Sequence, residues 1–113
     1  MKQPVRGEIW SIDLNPVRGH EQAGRRPCLV ISDDIYNSGP AEKHIVVPIT
    51  SKNKRIPYHI AVAPPEGGLW MRSFLMCDDV RSLSRERFEE RLGEVSSGTL
   101  EAVADCLRTL LGI

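Results

Sequence analysis

RGEIWSIDLNPVRGHEQAGRRPCLVIS, residues 6–32, holds two strand patterns separated by a long polar segment. In EIWSIDL (8–14), Ile9, Ser11 and Asp13 alternate with Trp10, Ile12 and Leu14, the period-two signature of a strand with two distinct faces. CLVIS (28–32) is a short apolar run suited to a central strand. Between them NPVRGHEQAGRRP (15–27) is polar, contains two glycines and is bounded by prolines. A connection of that length in a small domain is usually functional or mobile.

Working outward, DDIYNSGP (33–40) opens with aspartates suited to a helix N-cap and closes on Gly-Pro, which predicts one or two helical turns. HIVVPITS (44–51) is β-branched and strand-like, with Pro48 implying an edge or a bulge. A basic loop, KNKRIP (52–57), separates it from a further strand pattern in YHIAVAP (58–64), and PEGGLW (65–70) is a glycine-rich connection. SFLMCDDV (73–80) predicts a strand leading into RSLS, Ser84 with RERFEER (85–91) a capped short polar helix, and RLGEVS (91–96) a brief strand. At the C-terminus Leu100, Val103, Ala104, Leu107, Leu110 and Leu111 fall on one face at helical spacing. Ser96 or Ser97 is placed to cap that helix, and Glu101 and Arg108 to complement its dipole. The sum is an α+β domain spanning 1–113. It is expected to be a small, bent antiparallel barrel of five to seven short strands with short helices and a C-terminal amphipathic helix.

Bulk properties narrow the function classes. Lys plus Arg and Asp plus Glu each total 15, so net charge does not advertise nucleic-acid binding. The distribution is uneven: residues 1–60 carry nine basic and six acidic side chains, and residues 61–113 carry six and nine. The basic excess concentrates at 18–26 and 52–55, which form an anion-binding patch if the fold joins them and two solvated loops if it does not. No segment approaches the ~20 apolar residues of a membrane span, and the first ten residues lack a signal-peptide pattern, so a cytoplasmic protein is expected. Cys28, Cys77 and Cys106 show no CxxC spacing, and Cys28 and Cys77 sit in apolar runs as buried small hydrophobes do. His20, His44 and His59 show no metal-ligand spacing. Asp78-Asp79 invites a two-metal nuclease reading, but adjacent strand residues would point to opposite faces; Asp33-Asp34 is better explained by helix capping.

Three segments together resemble the MazF/PemK toxins. Residues 6–32 carry the Arg-Gly-acidic-x-aromatic strand, the Asp-Leu-x-Pro turn, the Gly-x-Glu-Gln loop and the Arg-Pro-x-Leu-Val-Ile strand in the family's order. VVPITS (46–51) is similar to a family strand ending in threonine, and CDDVRSLS (77–84) to its acidic-x-x-Arg-Thr/Ser strand. Asp79 departs from the pattern, standing where the family often has glutamine. The resemblance covers residues 5–84 well and the rest weakly. It implies an SH3-like barrel of the CcdB/PemK type and a metal-independent endoribonuclease, without cofactor, that cuts single-stranded RNA at short specific sequences. It also implies a homodimer held in check by a MazE-like antitoxin.

The resemblance makes Arg26 and Thr50 the catalytic pair, and their chemistry suits the task. Metal-free cleavage drives the ribose 2′-hydroxyl onto the adjacent phosphate, which demands proton transfers and neutralisation of charge on the phosphate oxygens. A guanidinium grips two such oxygens in a fork, and a strand-end hydroxyl can donate to the same group. Whether Arg26 also moves a proton stays open. Glu21 and Gln22 match the loop pair that helps position RNA and the arginine. Arg18, His20, Arg25, Lys52, Lys54 and Arg55 are expected to contact RNA, chiefly its backbone, which attracts without choosing a sequence. Arg25 either meets phosphate or pairs with an acid, and His59 is either a further proton carrier or a half-buried strand residue. Trp10 and Phe74 read as core. Trp70 either faces solvent and serves RNA or the antitoxin, or is buried at a dimer interface. The rival readings are a non-enzymatic CcdB-like toxin that binds DNA gyrase and a passive RNA-binding barrel.

Overall fold

The computed structural model describes residues 2–15 and 24–113. Seven strands are joined by short helical turns and followed by one long helix: β1 (Glu8–Asp13), β2 (Arg25–Val30), α1 (Asp34–Asn37), β3 (Lys43–Thr50), β4 (His59–Val62), β5 (Ser73–Met76), β6 (Arg81–Ser84), β7 (Phe88–Glu94) and α2 (Ser97–Leu111). All pairings are antiparallel and run β4-β5-β3-β2-β1-β7. Strand β3 is the organiser. One of its sides carries β2, while β6 pairs its first half (43–46) and β5 its end (49–50), so the sheet divides and bends there. This is the α+β architecture of short antiparallel strands and a terminal helix that the sequence predicts.

The patterning explains why the central strands are apolar throughout. Ile9, Leu29, Val47 and Ile49 enter a core with Leu75, Cys77 and Val103, against which Leu100, Leu107 and Leu110 of α2 pack. Trp10, Ile12, Leu14, Cys28, Val30 and Val46 turn to the opposite face and form a second core with Leu83 and Phe88. Sheets covered on both faces read as continuous hydrophobic runs. Pro48 is not on an edge: it faces Cys28 of β2 and falls in the interval where β3 passes from β6 to β5, a break in the ladder on that side.

The helix ends behave as expected. Asp33 caps α1 by accepting from the Ile35 N–H at 2.8 Å, and Ser96 caps α2 by accepting from the Thr99 N–H at 3.2 Å. Gly112 closes α2 in the left-handed conformation at φ 72°.

Three expectations need correction. The polar helix over RERFEER is a single 3-10 turn (Arg85–Arg87) followed by strand β7, because residues from Phe88 onward find a partner in β1. The strand over 73–80 ends at Met76, and Cys77–Asp79 form a 3-10 turn. The polar connection read as 15–27 ends earlier, since Arg25, Arg26 and Pro27 already pair with Asp13, Ile12 and Ser11. No helix among the described residues is long and apolar enough to cross a membrane.

Candidate active site

Strand pairing brings the two expected reactive side chains together. The β2–β3 ladder matches Cys28 with Pro48, Leu29 with Val47 and Val30 with Val46. Arg26 and Thr50 each lie two residues beyond the Cys28–Pro48 pair, at the same end of the antiparallel β2–β3 ladder. Both residues line one cleft of about 410 Å³, together with Arg25, Pro27, Ile49 and Ser51. Leu69, Trp70, Met71 and Ser73 form its other wall.

Thr50 is only 4% exposed at the end of β3 and faces Phe74 of β5. Its Oγ1 accepts from the Lys52 N–H at 3.2 Å, which orients the hydroxyl and leaves its hydrogen to donate elsewhere. Arg25 pairs with an acid in the RNA-free chain: its Nε donates to both carboxylate oxygens of Glu89, at 2.8 and 3.0 Å, while the residue still contributes to the cleft wall. Lys52, Lys54 and Arg55 are exposed on the segment following Ser51 and lie outside the cleft lining. Arg18, His20, Glu21 and Gln22 fall outside the described residues.

The other candidates are engaged elsewhere. His59 is 4% exposed at its side chain, stays outside the cleft wall and pairs through Nε2 with Asp78 Oδ1 at 2.9 Å. Asp78 and Asp79 sit on a turn rather than a strand, so the opposite-face argument does not describe them; Asp78 is instead taken up by His59. Burial pushes the Cys28 and Cys77 thiols up to about 12, which keeps both protonated and unreactive. Among the described residues no three His, Cys, Asp or Glu side chains gather as a metal site.

The structure adds a wall that the site assignment from sequence lacked. Trp70 is 77% exposed and Met71 50%, whereas Leu69 beside them is buried. Leu69 packs into the core and thereby anchors the turn that holds Trp70 outward. The sequence signal was present as an aromatic after Gly67-Gly68, and in the single chain that aromatic faces outward.

Known proteins share sequence and fold with this chain. Residues 5–111 match the family described as PemK-like, MazF-like toxin of type II toxin-antitoxin system. Endoribonuclease MazF9 of Mycobacterium tuberculosis is 31% identical, with 96% of each chain covered. MazF from Deinococcus radiodurans superposes with a TM-score of 0.88 at 33% identity over all of both chains. A MazE-MazF structure from the same organism gives 0.81 at 34% identity, covering 100% of this chain and 99% of that one.

Proposed function

The chain belongs to the PemK-like, MazF-like toxin family of type II toxin–antitoxin systems, and from that membership we propose how its cleft cuts RNA. The protein is an endoribonuclease toxin whose partners are RNA and a cognate antitoxin. The observation that carries the mechanism is that Arg26 and Thr50, at neighbouring strand ends, line one cleft.

In the reaction the ribose 2′-oxygen bonds to the adjacent phosphorus as the bond to the next nucleotide's 5′-oxygen breaks. The products are a 2′,3′-cyclic phosphate and a 5′-hydroxyl end. One proton leaves the 2′-hydroxyl and one is gained by the departing oxygen. Arg26 grips the non-bridging oxygens, and its charge offsets what accumulates on them in the transition state. The Thr50 hydroxyl donates to the same phosphate from a direction fixed by the Lys52 amide. Every group assigned here acts without a metal.

Lys52, Lys54 and Arg55 draw the backbone toward the cleft, with Arg25, Arg18 and His20 as further contacts. Glu21 and Gln22 position the strand and Arg26. The active form is a cytoplasmic homodimer with RNA crossing the interface, and an acidic, partly disordered antitoxin segment covers the basic groove and masks Arg26.

The test is cleavage of a long single-stranded RNA in excess EDTA, wild type beside Arg26→Ala. Wild type is expected to cut and leave cyclic-phosphate ends. Arg26→Ala should lose at least ~2 kcal/mol of transition-state stabilisation, roughly 30-fold in rate. Equal rates would refute the assignment of Arg26. No cutting by folded, antitoxin-free wild type would favour the gyrase-binding reading instead.

A further inference from the structure

We propose that Trp70 is the base-stacking platform of this cleft, receiving an unstacked RNA base beside the phosphate held at Arg26 and Thr50. The proposal rests on the ribonuclease reading above. Single-stranded RNA is bound by laying bases on aromatic faces next to cationic groups that track the backbone. This chain has few such faces: two Trp, two Tyr and two Phe. Trp10, Phe74 and Phe88 are buried, and Tyr36 and Tyr58 are partly exposed away from the cleft lining. Trp70 is the most exposed of the six and stands in the wall of the cleft that contains Arg26 and Thr50.

The turn beneath it is built to hold one position. Gly67 and Gly68 adopt φ values of 69° and 73°, which glycine alone takes without strain. They lie so close to β7 that a Cβ on Gly68 would stand 1.9 Å from the Leu92 carbonyl oxygen, and one on Gly93 would stand 2.5 Å from the Gly67 carbonyl carbon. On the other side Glu66 accepts from the Ser96 N–H at 2.9 Å and the Thr99 hydroxyl at 2.6 Å, tying the turn to the start of α2. These hydrogen bonds hold the Glu66 carboxyl below its usual range. The backbone that carries the indole is thus held in place, so stacking a base has to order only the Trp70 side chain and not the turn beneath it. Met71, half exposed beside it, supplies an adaptable apolar edge.

The probe is a 2′-O-methyl single-stranded RNA oligonucleotide of mixed sequence, which lacks the attacking hydroxyl, together with derivatives abasic at each position in turn. Binding is followed by indole fluorescence and by an independent label on the oligonucleotide. The wild type should show quenching, Trp70→Ala should bind roughly 5- to 100-fold more weakly, and Trp70→Phe should retain most of the affinity. One abasic position should weaken the wild type yet leave Trp70→Ala unaffected. Unchanged affinity in Trp70→Ala, or an abasic penalty that persists in it, overturns the proposal. So does a shift of Trp70→Ala toward lower mass in sedimentation, which would make the indole an interface residue. Normal RNA binding with loss of the antitoxin complex would do the same. Absence of RNA cleavage by the wild type would remove the parent reading, an outcome distinct from cleavage with no contribution from Trp70.

Discussion

Acidification should destabilise this protein in part through His44, in addition to the carboxylates of Glu8, Asp34 and Glu66, whose pKa values are also lowered in the fold. The imidazole is wholly buried in β3 and enclosed by α1 and the turn after β6. Arg85 Nε donates to His44 Nε2 at 3.2 Å, so Nε2 must accept, and Nδ1–H then donates to Asn37 Oδ1 at 3.0 Å. Asn37 is held in turn by the Ser32 carbonyl and Asp34 Oδ1, and Arg85 also donates to the Asn37 carbonyl at 2.7 Å. Protonation would set an N–H against the guanidinium. Burial and the Arg85 charge lower the His44 pKa from 6.5 to about 4, against a smaller opposing pull from Asp34. Because the folded-state value is depressed, the unfolded chain binds the extra proton first. The neutral ring's contribution is therefore intact above pH 6.5, falls by up to ~1.4 kcal/mol per pH unit below it and levels off below pH 4, a loss on the order of 3 kcal/mol. Urea unfolding of wild type and His44→Gln between pH 4 and 8 tests this, since glutamine can accept from Arg85 and donate to Asn37 without titrating. The wild type should lose ~2–3 kcal/mol relative to the variant over that window. Parallel pH profiles would refute the argument.

Two further outcomes follow from the cleft. Gly68→Ala must place a Cβ against the Leu92 carbonyl at positive φ, so unfolding should be easier by at least ~2 kcal/mol, measured by denaturant midpoint; an unchanged midpoint would mean that the turn yields freely. Thr50→Val removes the hydroxyl but leaves the Lys52 amide on an exposed segment where water can replace it. Stability should therefore fall by less than ~1 kcal/mol while cleavage drops ~10- to 100-fold, and equal losses in both would deny Thr50 a role in the reaction.

The elements legible in the sequence are those whose pattern is set by their own burial. β1 alternates because its two faces enter different cores, and α2 repeats at helical spacing because one stripe meets the sheet. RERFEER misleads for a physical reason. Only Phe88 at its strand start is buried, Glu89, Glu90 and Arg91 are exposed, and such a charged run carries helix propensity. What decides its state is distant in the chain: Phe88, Glu90 and Arg91 face Ile12, Ser11 and Trp10 across the β1–β7 ladder. Tertiary pairing outweighs a local preference of a few tenths of a kcal/mol per residue. Similarly, Asp78 reads as half of an acidic pair until the 3-10 turn delivers it to His59.

The same misreading hid one wall of the site. Arg26 and Thr50 lie at corresponding ends of two strands visible in the sequence, so their meeting depends only on the β2–β3 register. Trp70 depends on a longer chain of causes. Its direction is set by Gly67 and Gly68 lying flat on Leu92 and Gly93, and those two residues offer a flat backbone only because 88–94 is a strand. Had 85–91 been a helix, Gly93 would read as its stop signal, with no reason to lie against Gly67. As part of β7, Gly93 is the surface that admits the turn, and its missing Cβ is what lets Leu69 reach the core while Trp70 stays outside. The exposure of this one indole is thus a consequence of the β1–β7 pairing, carried through three glycines.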